Sequence, residues 1–301
     1  MKKYFLITTD HLEDSLWFRD NEDFVTGMNM VAVQASMSEV VVLAFILMSN
    51  HVHFVVYGTR RDAEEFISRY KGRYSQYYGR KWGVKEFLRR NKAEVEPISE
   101  NQEDLERTIA YVIMNCVAAR ICLHPGQYPW GCGNCFFQVK SEGLPGCSRI
   151  KSVPGRRQVK DISKRALSKL LHSDVQNLPG DWTFSDEGYI LPESYIDVHA
   201  VETLFRTPAR MDYFLRTSSK AKKRLEDKDD NLPSFKDQVI SVAVPDLCLS
   251  LFQKKRFEDL QEQEKTEMLR QLRYRFSAGP NQLARVCGIT YAEAARLLDS
   301  R

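Results

Sequence analysis

The feature of the sequence that most constrains the fold is an apolar stretch that contains two histidines. It runs from Glu39 to Gly58 and reads EVVVLAFILMSNHVHFVVYG. Short apolar runs rich in valine, isoleucine and phenylalanine, bounded by polar residues, predict buried β-strands. We therefore expect two buried strands, EVVVLAFILMS and HVHFVVYG, at the centre of a sheet.

The two histidines of this stretch point to a site. Side chains alternate between the two faces of a strand, so His51 and His53 emerge on one face while Val52 points to the other. Imidazole rings inside an apolar strand need polar partners, and a pair of them indicates a metal, a phosphate or a hydrogen-bond network. Two core histidines bonded to backbone carbonyls would explain the same spacing, because H-x-H is a short pattern.

Further elements flank the apolar stretch in an alternating order. Strand patterns are KYFLITT and EVEPI, and helix patterns are NEDFVTGMNMVAVQAS, DAEEFISRYKGRYSQYYGRKWG and NQEDLERTIAYVIMNCVAARICL. The resulting order, β-α-β-β-α-β-α, predicts a mostly antiparallel sheet backed by helices. This is an α+β fold of the split βαβ kind.

The alternation defines a first domain over residues 1–140. Residues 141–160 are polar, basic and contain Gly and Pro, which predicts a linker. Residues 161–301 are predicted to form a mainly helical extension. At its end NQLARVCG and YAEAARLLDS meet at Gly288, which predicts a helix-turn-helix over 281–301. An ordinary helical hairpin would give the same pattern.

Composition excludes a membrane-spanning protein and favours a cytoplasmic one. Apolar residues make up 43% of the chain and charged residues 28%, as in soluble globular proteins. The longest apolar run, Val40 to Met48, is about half the length that a bilayer span requires. The seven cysteines, in a chain whose N-terminus does not resemble a signal peptide, predict reduced thiols.

Basic residues are concentrated in two stretches, although the net charge is only +4. Eleven Lys/Arg stand against four Asp/Glu from Arg60 to Lys92, and eight against one from Arg149 to Lys169. Tyrosines interleave the first stretch, a mixture that can neutralise phosphates and stack the bases of a single strand. A solvated helix with tyrosines in the core is the alternative. The candidate DNA contacts are Arg69, Arg73, Tyr77, Arg80, Lys81, Arg156, Arg157 and Arg296.

A phenol and an amide share one face of the third predicted helix, because Tyr111 and Asn115 are four residues apart. If this face packs on the sheet face that bears His51 and His53, the site contains two imidazoles, an amide oxygen and a phenol. Such ligands suit Mn²⁺ or Mg²⁺ with positions open to a phosphate oxygen. A tyrosine beside a metal-bound phosphate can act as a nucleophile.

Three segments in order resemble one protein family. LMSNHVHFVV, RYKGRYSQYYGRKWG and YVIMNCVAARICLHPGQYPWG are similar to the REP-associated tyrosine transposases, relatives of the single-tyrosine insertion-sequence transposases in the HUH nuclease superfamily. The resemblance covers residues 1–140. Cys116 replaces the usual proline after the asparagine, and Gly131 departs from the usual YPWSS.

The resemblance implies a ferredoxin-like HUH nuclease core and a specific chemistry. His51 and His53 would bind the divalent metal with Asn115, and Tyr111 would be the catalytic nucleophile. Relatives cleave and rejoin single-stranded DNA near hairpins through a 5′-phosphotyrosine link, without a nucleotide cofactor. We therefore expect a DNA transposase or nickase, associated with the nucleoid, whose partner is single-stranded or hairpin DNA and whose assembly states include a homodimer.

Two alternatives to this enzyme stay open. A domesticated DNA- or RNA-binding protein would keep the fold without cleavage, and a metal-dependent phosphodiesterase would use activated water with Tyr111 merely structural.

Overall fold

A four-stranded sheet and three helices make up the first half of the molecule. The structure, a computed structural model, describes residues 1–12, 15–137, 157–175, 177–216, 237–276 and 278–299. In chain order the elements of this half are β1 (Lys3–Thr9), α1 (Asn21–Met37), β2 (Val41–Met48), β3 (His51–Gly58), α2 (Arg60–Trp82), β4 (Ala93–Pro97) and α3 (Gln102–Ile113), followed by the short α4 (Asn115–Ala118).

The sheet has the order β2-β3-β1-β4, and every neighbouring pair is antiparallel. Strand β3 lies between β1 and β2, as a split βαβ arrangement requires. The register pairs His53 with Thr8 of β1 and with Ile46 of β2, and Thr8 in turn with Glu94. The predicted α+β class and element order are therefore confirmed.

Helices cover both faces of the sheet. On one face α1 and α2 pack against each other and against the strands, and Phe54 of β3 contacts the rings of Phe66 and Tyr70. The tyrosines of α2 recur at helical spacing and form one buried stripe, which comprises Tyr70, Tyr74, Tyr77 and Tyr78. On the other face α3 packs on β2 and β3. The histidines alternate with Phe54 and therefore face α3.

The third predicted helix is shorter than expected. A single helix over 101–123 was predicted, but α3 ends at Ile113 and α4 covers only Asn115–Ala118. The side-chain Nδ2 of Asn115 donates to the carbonyls of Tyr111 and Val112, at 2.9 and 3.2 Å. An asparagine that bonds to the backbone in this way competes with the helical hydrogen-bond pattern.

Residues 157–216 pack on the first half of the chain. They contain α5 (Lys164–Leu171), α6 (Val198–Phe205) and α7 (208–216). Val159 is 6% exposed and joins a cluster with Ala32 and Val33 of α1. Residues 141–156 of the predicted linker (141–160) lie outside the described residues, and Val159 within its last residues packs in this cluster. The domain boundaries stay a prediction.

Helix α7 also holds α3 in place. Arg210 donates to both carboxylate oxygens of the fully buried Glu106 at 2.7 Å. Nearby, Gln102 donates to the carbonyl of Leu204. The helix that bears Tyr111 is therefore fixed on its outer side by residues from the second half of the chain.

A second core is formed by α8 (Asp237–Phe252), α9 (Glu262–Phe276), α10 (Pro280–Cys287) and α11 (Tyr291–Asp299). Gly288 ends α10 with φ of +68°, the left-handed conformation that glycine adopts readily. Leu283 and Leu297 are buried together with Leu272 of α9. The two predicted C-terminal helices are present, and their role in binding DNA stays a prediction. None of the helices that the structure describes is long and apolar enough to span a membrane.

Candidate metal centre and nucleophile

The histidines His51 and His53 lie at the start of β3, on the sheet face that α3 covers. Both are buried, with 6% and 1% of their surface exposed. Their ring centroids are 4.8 Å apart and the rings are nearly perpendicular. The predicted same-face pair is thus present in the structure.

A third histidine, His11, joins this pair. Its exposed ring stacks on His51 with centroids 3.7 Å apart, and the ligand nitrogens of His11, His51 and His53 all lie within 4.8 Å of one another. Sequence analysis gave His11 no role. The pairing of Thr8 with His53 brings the end of β1 beside the start of β3, and the amide of Leu12 donates to the carbonyl of Asn50. The pairing register of β1 with β3, which the sequence does not show, is the information that would have assigned His11 to the site.

Two polar neighbours orient the buried histidines. The Nδ1 atom of His51 is 2.8 Å from Oδ1 of Asn50, and Nδ1 of His53 is 3.1 Å from Oγ1 of Thr8. Asn50 also donates to the carbonyl of Leu12, next to His11. Metal-binding histidines commonly use one ring nitrogen for the ion and the other for such a partner. Asn50 and Thr8 are therefore orienting residues that sequence analysis missed.

Tyr111 lies against the histidine pair. Its partly buried ring packs edge-on against His53, with centroids 5.7 Å apart and an interplanar angle of 77°. The position follows from the packing of α3 on β2 and β3. The structure therefore brings together the imidazoles and the phenol that the sequence analysis selected, while their catalytic roles stay predictions.

Asn115 is buried in the same region with 2% of its surface exposed. Its Nδ2 atom donates to the carbonyls of Tyr111 and Val112, so the side chain fixes the break between α3 and α4. This contact links Asn115 to the placement of Tyr111. A role of Asn115 as a metal ligand stays a prediction.

The three imidazoles fit a divalent ion. Two nitrogens that bind one ion at about 2.1 Å lie at most about 4.2 Å apart. The nitrogens of His11, His51 and His53 are within 4.8 Å of one another, so the rings would have to move closer together to hold one ion. An all-imidazole donor set is typical of transition metals, whereas Mg²⁺ prefers oxygen. Which of the two predicted ions is bound stays a prediction.

The predicted DNA contacts on α2 are mostly engaged within the protein. Tyr77 is 3% exposed and donates to the buried Asp23 at 2.9 Å, so its ring offers no face to a base. Lys81 is 19% exposed and contacts the carboxylates of Asp20, Glu22 and Asp23. Although burial alone would lower the pKa of Lys81, these carboxylates raise it. Both side chains are thus engaged within the protein, and their contacts with DNA stay a prediction.

The other predicted contacts have mixed surroundings. Arg69 pairs with Glu65, and Arg73 donates to Ser173 at 2.9 Å. Arg296 pairs with Glu262. Arg80 and Arg157 are exposed, and Arg156 lies outside the described residues. For all of these residues, contact with DNA stays a prediction.

A groove of about 1120 Å³ lies on the other side of the sheet, between α2 and β4. Its lining includes Ile67, Leu88 and Val95, and it contains none of the histidines. The site is placed at the histidines instead, because metal-binding nitrogens and a phenol converge there. Among the described residues, the cysteines form no second group of possible metal ligands. The six described thiols are in no disulfide, and burial raises the pKa of Cys132 to about 12.

Comparisons with known proteins give a distant likeness. No protein-family model and no curated protein matches this chain. A solved structure described as a REP-associated tyrosine transposase bound to a REP hairpin aligns with 44% of this chain and 77% of its own. The sequence identity is 11% and the TM-score is 0.32. At this degree of likeness a function has to be inferred from the residues of the site.

Proposed function

We propose that the protein is a metal-dependent enzyme of the HUH type that cleaves and rejoins single-stranded DNA, at hairpin or palindromic elements. The observation that carries the proposal is the convergence of three imidazoles with one phenol, since the ring of Tyr111 packs on His53 and the ring of His11 stacks on His51. Histidines that bind a metal next to a tyrosine are suited to phosphoryl transfer with a covalent intermediate.

In this proposal each residue of the site has a stated role. His11, His51 and His53 hold a divalent ion, which would polarise the scissile phosphate when bound. Asn50 and Thr8 hold the two buried rings in orientation, and Asn115 fixes the helix break that places Tyr111. The three imidazoles supply ligands, and Asn115 both positions Tyr111 and is the further ligand that the sequence predicts.

The transfer itself proceeds through Tyr111. Its oxygen attacks the phosphorus atom, a phosphotyrosine bond to the 5′ side of the break forms, and the bond to the 3′-oxygen breaks. The phenol loses its proton and the departing 3′-oxygen gains one, so the step is balanced. Attack by a second 3′-hydroxyl on the phosphotyrosine would reverse these changes and rejoin the strands.

The test is capture of the covalent adduct. Unaltered protein, Tyr111→Phe and the control Tyr57→Phe are incubated with Mn²⁺ and an end-labelled oligonucleotide that carries a hairpin, and products are separated on a denaturing gel. Tyr57 lies at the far end of β3 and contacts Tyr4. We expect an adduct with the unaltered and control proteins and none with Tyr111→Phe, which should still bind the oligonucleotide.

Other outcomes would replace the proposal. An adduct that persists in Tyr111→Phe would assign the nucleophile elsewhere. Cleavage without any adduct would indicate a phosphodiesterase that uses water, and binding without cleavage by the unaltered protein would indicate a DNA-binding protein.

A further inference from the structure

A set of exposed cations lies between the end of α2 and the start of β4. Arg80, Lys85, Arg90 and Lys92, which we name the basic strip, are all exposed. Within the part of the chain that the structure describes, none of the four forms an ion pair, whereas Arg89 between them pairs with Glu86. The strip therefore differs from the cations of α2 at Arg69 and Lys81, which are paired with carboxylates.

Arg80 and Lys85 line the groove on the α2 side of the sheet, and the strip reaches the candidate site at its other end, through Lys92. The amide of Asp10 donates to the carbonyl of Lys92 at 3.0 Å, and the amide of Lys92 donates to Oδ2 of Asp10 at 2.9 Å. Nδ2 of Asn91 donates to the carbonyl of Asp10 at 2.9 Å. Asp10 directly precedes His11, so the strip and the third imidazole are held by one set of hydrogen bonds.

The strand register gives the side of the sheet on which Lys92 lies. Glu94 pairs with Thr8, and Thr8 pairs with His53. Since residues two apart share a face, the register places Lys92 on the face that carries the histidines. Two strand spacings separate β4 from β3, which is about 10 Å. Lys92 thus lies within a short distance of the proposed position of the scissile phosphate.

We propose that the basic strip is the surface that binds the phosphate backbone of the single strand as it enters the site. The inference rests on the function proposed above and names the path of its substrate. Cations without a protein partner can bind phosphates and release counterions, whereas a cation in an ion pair must first give up its carboxylate. The interface therefore comprises the last turn of α2, at Arg80, and the connection that follows the helix.

The test compares two double variants of the full chain that lose the same charge. Arg90→Ala with Lys92→Ala removes two strip cations. Lys3→Ala with Arg60→Ala removes two cations at the opposite end of the sheet, where Lys3 pairs with Gly58. Each double variant also carries Tyr111→Phe, so that the oligonucleotide is bound without being cleaved. Binding of a fluorescent hairpin oligonucleotide with a single-stranded extension is measured by anisotropy at several salt concentrations.

Two lost phosphate contacts on a single strand should reduce the slope of log affinity against log salt by about 1.4. We expect this change and an affinity loss of about ten-fold at low salt in the strip variant, with neither in the control. Equal behaviour of the two variants would overturn the inference, even if the unaltered protein forms the phosphotyrosine adduct. If the salt slope changes in the strip variant but the unaltered protein forms no phosphotyrosine adduct, the inference about the strip is supported and the proposed chemistry is contradicted. If the unaltered protein does not bind the oligonucleotide, both proposals are overturned.

Discussion

The buried carboxylate of Asp23 allows a sharp test of how α1 and α2 are held together. Asp23 has no exposed surface and accepts hydrogen bonds from Tyr77, Lys81, Trp82 and the amide of Arg19, at 2.8 to 3.1 Å. We expect Asp23→Ala to destabilise the protein strongly, because the change leaves a cation and several donors without their central acceptor.

The magnitude follows from burial. Loss of one partner from a buried ion pair costs about 3–5 kcal/mol. Lys81 keeps 19% of its side chain exposed and retains Asp20 and Glu22, so the lower end applies and we expect about 3 kcal/mol. Glu22→Ala is the matched control. Glu22 also contacts Lys81 from the first turn of α1, but it is 64% exposed, and its loss should cost less than about 1 kcal/mol.

The assay is urea unfolding followed by tryptophan fluorescence. All four tryptophans lie between Trp17 and Trp182, outside the C-terminal helical core, so the signal reports the half of the molecule that contains Asp23. The shift of the midpoint multiplied by the m-value gives the change in the free energy of unfolding. Equal losses for Asp23→Ala and Glu22→Ala would refute the argument. Both carboxylates contact Lys81 near the same helix N-terminus, and the burial and additional hydrogen bonds of Asp23 are what separate them.

Three further predictions concern the metal, pH and the C-terminal helices. His11→Ala should weaken Mn²⁺ binding at least about ten-fold by calorimetry while the exposed His199→Ala does not, and equal affinities would remove His11 from the site. Because burial raises the pKa of Cys132 to about 12 and an unfolded thiol titrates near 8.5, the unfolded state loses its proton first as pH rises. The contribution of this thiol should thus lower the free energy of unfolding by about 2 kcal/mol by pH 10. In urea unfolding curves Cys132→Ala should lose that much less stability between neutral pH and pH 10. If α11 binds duplex DNA, Arg296→Ala should lower the salt slope by about 0.9 and Glu262→Ala, which frees that arginine, should raise the affinity; the absence of both effects would leave α11 a packing element.

The strands and the histidine pair were predictable because they depend on local periodicity. Alternation alone places His51 and His53 on one face, and the apolar runs give β2 and β3 to within two residues of their observed bounds. The contribution of His11 could not be predicted in the same way. It depends on which residue of β1 pairs with which residue of β3, and a one-residue change of register would move the end of β1 relative to His51.

The charges from Arg60 to Lys92 show a second limit of sequence analysis. Helical spacing shows that Tyr70, Tyr74 and Tyr77 share a stripe, but it does not show whether the stripe faces a core or a ligand. Here α1 supplies the missing information, because its Asp23 accepts the hydroxyl of Tyr77 and binds Lys81. A count of basic residues treats Lys81 and Lys92 alike. The fold separates them, since Lys81 neutralises carboxylates that join two helices, whereas the exposed Lys92 is bonded through its backbone amide to Asp10, the residue before His11.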